Sequence, residues 1–190
     1  MRRIILFLMI VITDFSCQER KTAKENMMKE LNIVDIKISC PSDLTYVKTK
    51  GTDSYTAYLF NQKKDTFEIE YGERGIINSL YYLPPSVFPF STLQRMTDFY
   101  GRKPTSEEAL FSDYPKEDNE LRIFAKNYFM YDTVNGIIMK IEQPKRIGDG
   151  ITGVYIPMLR DGQSFSMYAK NLDSTSHINA IKMFHSIRYK

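Results

Sequence analysis

Few side chains in this chain of 190 residues stand at spacings that suit chemistry. Glu68 and Glu70 alternate with Phe67, Ile69 and Tyr71. Both carboxylates therefore fall on one face of a strand, about 6.6 Å apart at the rise of an extended chain. Paired carboxylates can act as general acid and base, so a carboxylate-dependent hydrolase is one alternative function. The simpler reading is a solvated outer sheet face. Gly148-Asp149-Gly150-Ile151-Thr152-Gly153 matches G-x-G-x-x-G, whose chemistry is a pyrophosphate resting on a helix N-terminus. Strand-like VYIPMLR follows it, and Pro157 opposes a helix there. The run reads as a glycine turn, with Lys145 and Arg146 as the nearest groups for an anion. His177 and His185 both fall on the last helical segment. No G-x-S-x-G is present, because Gly162-Gln163-Ser164-Phe165-Ser166 lacks the final glycine. A Ser/His nucleophile is not expected. His177 reads as a first-turn surface residue and His185 as a helix-edge residue.

Cysteine carries the one specific chemical role. Arg2 and Arg3 precede the apolar run Ile4 to Thr13, and Ser16-Cys17 follows. A basic start, a short apolar stretch and a small residue make a secretion signal. The run is shorter than the roughly 20 residues of a membrane-spanning helix. Bacterial lipoprotein signals end at a cysteine that receives lipid. Ser16 and Cys17 fit that pattern, while Asp14 puts a charge where an apolar residue is usual. Residues 1–17 are expected to be a signal peptide, Cys17 the lipidation site, and residues 18–30 a tether. The attached acyl chains would hold the protein on a membrane, since each buried CH₂ contributes about 0.8 kcal/mol and two chains already anchor stably. Lipidation leaves Cys40 alone, so neither a disulfide framework nor a zinc site is expected, and no cofactor.

Beyond the leader about 173 residues remain, with 24 basic and 22 acidic side chains. That length suits one domain that buries roughly 70% of its unfolded surface. The charge balance gives no nucleic-acid footprint. Tyr and Phe number 13 and 12, with no Trp, as expected of a sheet-rich aromatic core. Several aromatics gather between Tyr71 and Tyr100, where Leu83-Pro84-Pro85 and Phe88-Pro89-Phe90 prevent regular structure. Tyr81, Tyr82, Phe88 and Phe90 are the binding-surface candidates, since an irregular aromatic loop on a rigid sheet suits recognition.

These features need elements to hold them. Period-two alternation predicts a strand over Leu31 to Cys40, ended by Pro41. Tyr55 to Asn61 reads as a second strand, Gln62 to Asp65 as a hairpin connection, and Thr66 to Tyr71 as a third. Ser91 and Gly101 bracket a short helix, and Thr105 or Ser106 followed by Glu107 and Glu108 starts another. Pro115 to Glu120 reads as a charged loop. Leu121 to Phe129 is an apolar segment leading to Asn135-Gly136, a strong hairpin signal. Ile137, Met139 and Ile141 then alternate with Ile138, Lys140 and Glu142. Val154, Ile156 and Met158 form one strand, and Phe165, Met167 and Ala169 another, around the Asp161-Gly162 turn. Asp173 to Ser176 caps a helix with Ile178, Ile181 and Phe184 on one face, and Ile187 to Tyr189 ends the helix or makes a last short strand. The expected fold is one α+β domain over residues 31–190, mostly antiparallel sheet with a C-terminal amphipathic helix packed on it.

This order resembles the α/β/α sandwich of the Mog1/PsbP/DcrB-like proteins through Ile181, Phe184, Ser186 and Ile187. It is also similar to the uncharacterised small lipoproteins of Bacteroidetes-type bacteria through Tyr71-Gly72 and Asn135-Gly136. Either resemblance implies a fold and a scaffold or binding role, with no functional residue carried over. The expected function is therefore non-catalytic: an envelope lipoprotein, facing the periplasm or the cell surface, that binds a ligand or partner. An immunity-type inhibitor of a toxin is a further alternative. Replacing Cys17 by alanine should move the protein from the membrane to the soluble fraction; undiminished membrane retention on fractionation would refute the anchor.

Overall fold

The computed structural model describes residues 27–49, 51, 53–81 and 86–190. The expected leader with Cys17 lies outside these residues, as does Tyr82. Seven strands form one antiparallel sheet. β3 (Thr45–Thr49), β4 (Tyr55–Phe60) and β5 (Thr66–Gly72) make one meander, and β8 (Asn127–Val134), β9 (Ile137–Pro144), β10 (Ile151–Ile156) and β11 (Ser164–Lys170) make another. The spatial order β3-β4-β5-β11-β10-β9-β8 sets the last strand of one meander beside the last strand of the other. Ile69 faces Met167 across that junction.

A smaller sheet holds β1 (Met28–Ile33), β2 (Ile36–Pro41) and β12 (Arg188–Tyr189), with β2 in the middle. The helices, in chain order, are α1 (Leu93–Tyr100), α2 (Pro115–Glu120) and the C-terminal α3 (Ser174–His185). One hydrophobic core joins the small sheet, α3 and one face of the large sheet, with Ile36, Ile38, Ile69, Met139, Met167, Met183 and Phe184 at 0% exposure. Asp173 caps α3 by accepting the Ser176 N–H at 2.7 Å, which satisfies one of the free amides of the first turn. The α+β class and the C-terminal helix on a mostly antiparallel sheet are as the sequence implies.

Several boundaries differ. The strand expected over Leu31 to Cys40 is a hairpin, β1 and β2, turning at Val34-Asp35 with Ile33 opposite Ile36. Val34 takes a φ of 43° there, which a β-branched residue rarely adopts, so the sequence carries no turn signal. β1 starts at Met28 and takes in the last residues of the expected tether. Pro115–Glu120 is the helix α2, with Pro115 in its first turn, where the missing N–H costs nothing. The segment after Thr105 makes only a turn, its amide and hydroxyl held by Glu108 Oε2 at 2.8 and 3.0 Å. β10 stops at Ile156, leaving Met158 64% exposed. On α3 the buried side is Ser176, Ala180, Met183 and Phe184, while Ile178 is 52% exposed; the helix is rotated from the expected face toward its small residues. Asn135 and Gly136 take φ of 51° and 75°, the double-positive turn that this dipeptide favours.

The outer face of the large sheet is partly covered by the connection after β5. Ile77 and Leu80 pack on Tyr155 and Tyr168. A Cβ on Gly153 would stand 2.8 Å from both Leu80 Cδ1 and Tyr168 Cβ. The bare glycine therefore makes the seat in which Leu80 rests. Gly153→Ala should lower unfolding stability by about 1–3 kcal/mol through overpacking, measured as a shifted urea midpoint at constant slope; an unchanged midpoint would show that Leu80 is not seated there.

Candidate functional site

The residues singled out from sequence do not gather into one site. Glu68 and Glu70 share the outer face as the alternation implies, but they are half-buried and already engaged. Glu68 Oε2 accepts the Tyr168 hydroxyl at 2.5 Å, and Glu70 Oε2 accepts the Asn78 N–H at 2.6 Å. Burial, and then the Glu68 hydrogen bond, raise the Tyr168 phenol far above its ordinary range. Glu70 thus fastens the covering segment, while Glu68 bonds across the sheet to β11.

His177 lies in the first turn of α3, yet it is half-buried. Its Nδ1 is 2.9 Å from Thr152 Oγ1, and burial lowers its pKa. This hydroxyl–imidazole pair has the composition of a nucleophile and base, but Thr152 is 1% exposed, closed to a substrate. His185 is on the helix edge, as expected, with Nε2 3.2 Å from Asp132 Oδ2. The G-x-G-x-x-G run is a turn entering β10. Lys145 Nζ beside it donates to the Arg122 carbonyl at 2.8 Å.

The aromatic candidates separate. Phe88 and Phe90 both pack against Phe111, with centroids 6.4 and 6.2 Å away. Phe88 and Phe111 face each other in a small parallel pair of strands, β6 (Val87–Pro89) and β7 (Leu110–Ser112), and Phe90 begins the 3₁₀ turn that follows β6. Phe90 is 52% exposed and Phe88 half-buried. Tyr81, 73% exposed, instead borders a space of about 20 Å³ with Arg122, Phe129, Lys140 and Glu142. That volume suits one water molecule, not a substrate.

Around that space lies a buried polar cluster that strand alternation places on the outer face without revealing its burial. Lys140 Nζ donates to the Leu80 carbonyl at 2.7 Å and stands 4.9 Å from the Phe129 ring centre. It approaches Glu142 Oε2 only to 4.0 Å. Asn127 Nδ2 donates to Glu142 Oε1 at 3.1 Å, and its Oδ1 accepts the Ile151 N–H at 3.0 Å. Glu142 Oε2 has no hydrogen-bond partner among the described residues. Burial raises the Glu142 carboxyl, with Lys140, Asn127 and Arg122 opposing. Burial likewise lowers Lys140, with Glu142 opposing. The cluster ties the covering segment to β9 and leaves no room for a reaction.

The roomier site lies on the other side of the sheet. A cleft of about 290 Å³ opens between α3, the β4–β5 turn and the β2–β3 connection. Its walls are fixed by Asp65, whose Oδ2 accepts Ser176 Oγ from the helix at 2.6 Å and Asn61 Nδ2 from the turn at 3.0 Å. Leu44, Phe67 and Met183 line its apolar part, and Lys63, Lys182, Asp43 and Asn179 carry polar groups into it. Sequence reasoning missed it because three separated segments contribute, each looking like ordinary turn or helix. The Gln62 to Asp65 connection and the Asp173 to Ser176 cap were the available signals.

No protein-family model matches the sequence, and no curated protein does. Among solved structures the chain is similar to the cyanobacterial PsbP (CyanoP) from Synechocystis sp. PCC 6803. Identity is 7%, the TM-score 0.44, and the match covers 86% of this chain and 92% of that one.

Lys140→Met should destabilise the fold by about 3–5 kcal/mol, because it strands the Glu142 charge in a buried site. A carboxyl that binds its proton more tightly when folded loses stability as pH rises from its unfolded value through its folded one. Glu142→Gln should therefore gain on the parent as pH rises above about 4.5, read by denaturation across pH 4 to 7; parallel pH profiles would show that Glu142 is not desolvated.

Proposed function

We propose that this chain is a non-catalytic bacterial envelope lipoprotein whose α+β domain binds a small ligand in the cleft beside α3. The cleft is the observation that carries the reading. Small-molecule sites are concave, at volumes from about 300 Å³; the 290 Å³ cleft is near that size, with a mainly polar lining around an apolar floor. Lys63 and Lys182 supply positive charge and Asp43 supplies negative charge, around Leu44, Phe67 and Met183. That combination suits a small zwitterion with an apolar body, the chemistry of short peptides. The Asp65–Ser176 bond keeps the two walls together, which lowers the ordering cost of binding.

The leader supports the location, with Cys17 as the lipid attachment point. A PsbP-like sandwich within the small Bacteroidetes-type lipoproteins is the finer family reading. Its support is the amphipathic C-terminal helix followed by Ser186-Ile187 and a short final strand. The cleft, not Phe88 and Phe90, is the preferred binding surface.

Titration with a panel of dipeptides, including Ala-Ala, Ala-Leu and Lys-Glu, should shift the backbone amide signals of Thr175, Asn179 and Lys182. Lys182→Glu should weaken the best of them about fivefold, the worth of one solvent-screened charge pair. Silence of all three amides across the panel would overturn the reading.

A further inference from the structure

β8 is one edge of the large sheet, and it lacks what normally keeps an edge solitary. Protected edges are short, or carry lysine, proline or a bulge. The opposite edge, β3, has five residues and includes Lys48. β8 has eight residues, NYFMYDTV, with Asp132 as their single charge. Tyr128, Phe129, Met130 and Tyr131 are 46, 45, 46 and 67% exposed, so apolar side chains are partly open to solvent on both faces of the strand.

The register with β9 fixes which backbone groups are free. The two-residue turn at Asn135-Gly136 closes on Val134 and Ile137, a hydrogen-bonded pair in this hairpin type. Met130 and Tyr128 then bond to β9 in alternation, and the N–H and C=O groups of Asn127, Phe129, Tyr131 and Thr133 point away from the sheet. The Thr133 N–H is met by Asp132 Oδ1 at 2.7 Å, which leaves Phe129 and Tyr131 as the central open positions among the described residues.

We propose that β8 pairs antiparallel with β8 of a second copy of this chain, in the register that sets Met130 against Met130 of its symmetry mate. Phe129 then lies opposite Tyr131 of the mate twice over, and each such pair exchanges two hydrogen bonds. On the outer face the four rings form a row, extending the edge-to-face contact already present between Phe129 and Tyr131 at 6.1 Å. On the other face Tyr128 lies opposite Asp132, so the only charge of the strand meets a hydroxyl donor and not its own copy. A slip of one residue would exchange the two faces. A slip of two in one direction would set Tyr131 on itself and leave Asp132 opposite Met130, and in the other would set Phe129 on itself. The self-complementary register thus selects a twofold dimer, in which two seven-stranded sheets become one continuous sheet.

The test uses the full chain, extracted in mild detergent. Met130→Cys should give a disulfide-linked dimer under mild oxidation, since opposed residues at a non-hydrogen-bonded position lie about 4.5 Å apart. Thr133→Cys should stay monomeric, because its mate would be about 20 Å along the strand. The parent should show twice the monomer mass by light scattering, with detergent subtracted. Tyr131→Lys should show the monomer mass with a melting temperature that no longer depends on concentration and matches the parent's at high dilution, its side chain being exposed. The proposal is overturned by a monomeric parent, by equal cross-linking at both cysteines, or by a dimer that survives Tyr131→Lys. Linkage of Met130→Cys to a different protein also overturns it, by making the edge a site for a foreign strand.

Discussion

The antiparallel pairing of β5 with β11 is the contact on which the rest depends. Each meander alone is a sheet of three or four strands with an exposed edge. Joined at Ile69 and Met167, they give a floor wide enough to receive α3 and the small sheet over a single core. This contact spans about 100 residues of sequence, and closing so long a loop precedes any gain from packing. β11 is accordingly buried along nearly its whole length on both faces, and its Ser164, Ser166 and Tyr168 would be hard to rationalise as an edge strand. Ser164 Oγ donates to the Pro157 carbonyl and Tyr168 to Glu68, while the buried Ser166 Oγ between them has no hydrogen-bond partner among the described residues.

The outer face follows a different logic. No helix covers it among the described residues; a loop does, and loops bring backbone carbonyls and amides with them. Lys140 meets the carbonyl of Leu80, and Glu70 meets the amide of Asn78. Charged side chains on the sheet thus satisfy a non-repetitive cover that could not satisfy itself. The penalty is a desolvated Lys140–Glu142 pair held at 4.0 Å, which contributes more to fixing the position of the cover than to net stability.

How much was legible in the sequence depended on whether neighbours in the chain were also neighbours in space. Phe67, Ile69 and the Asn135-Gly136 turn could be read directly, because period-two burial and a double-positive φ are local facts. The α+β class followed from them. Val34 was opaque: its turn is imposed by the pairing of Ile33 with Ile36 and not by turn chemistry. β3 was overlooked because TYVKT has little apolar character until Tyr46 packs against the core. The helix Pro115–Glu120 has no apolar side, and no residue of it is buried, so hydrophobic periodicity had nothing to report. The burial of Lys140 and Glu142 depends on Leu80, some 60 residues earlier, and the cleft depends on three segments meeting. Among the aromatic candidates, exposure could be anticipated, but not that Phe88 and Phe90 would turn to Phe111 while Tyr81 turned to Lys140.

The N-terminal hairpin has a mechanical consequence. Met28 lies opposite Pro41 at the open end of the hairpin, and the Met27 carbonyl accepts the Ser42 N–H at 2.8 Å. Among the described residues the backbone of β1 pairs only with β2, while Glu30 meets Arg188 of β12 and Lys29 donates to the Leu44 carbonyl. Tension arriving from ahead of Met28 and directed away from β2 meets these bonds one after another, like the teeth of a zipper, instead of loading them all in parallel. β1 would peel at low force through its exposed residues Met28–Glu30, until Leu31 and Ile33, held in the core, resisted, while β2, paired with β12 and packed on α3, kept its place. The hairpin is in this sense a compliant link between whatever precedes it and the rigid sheet behind.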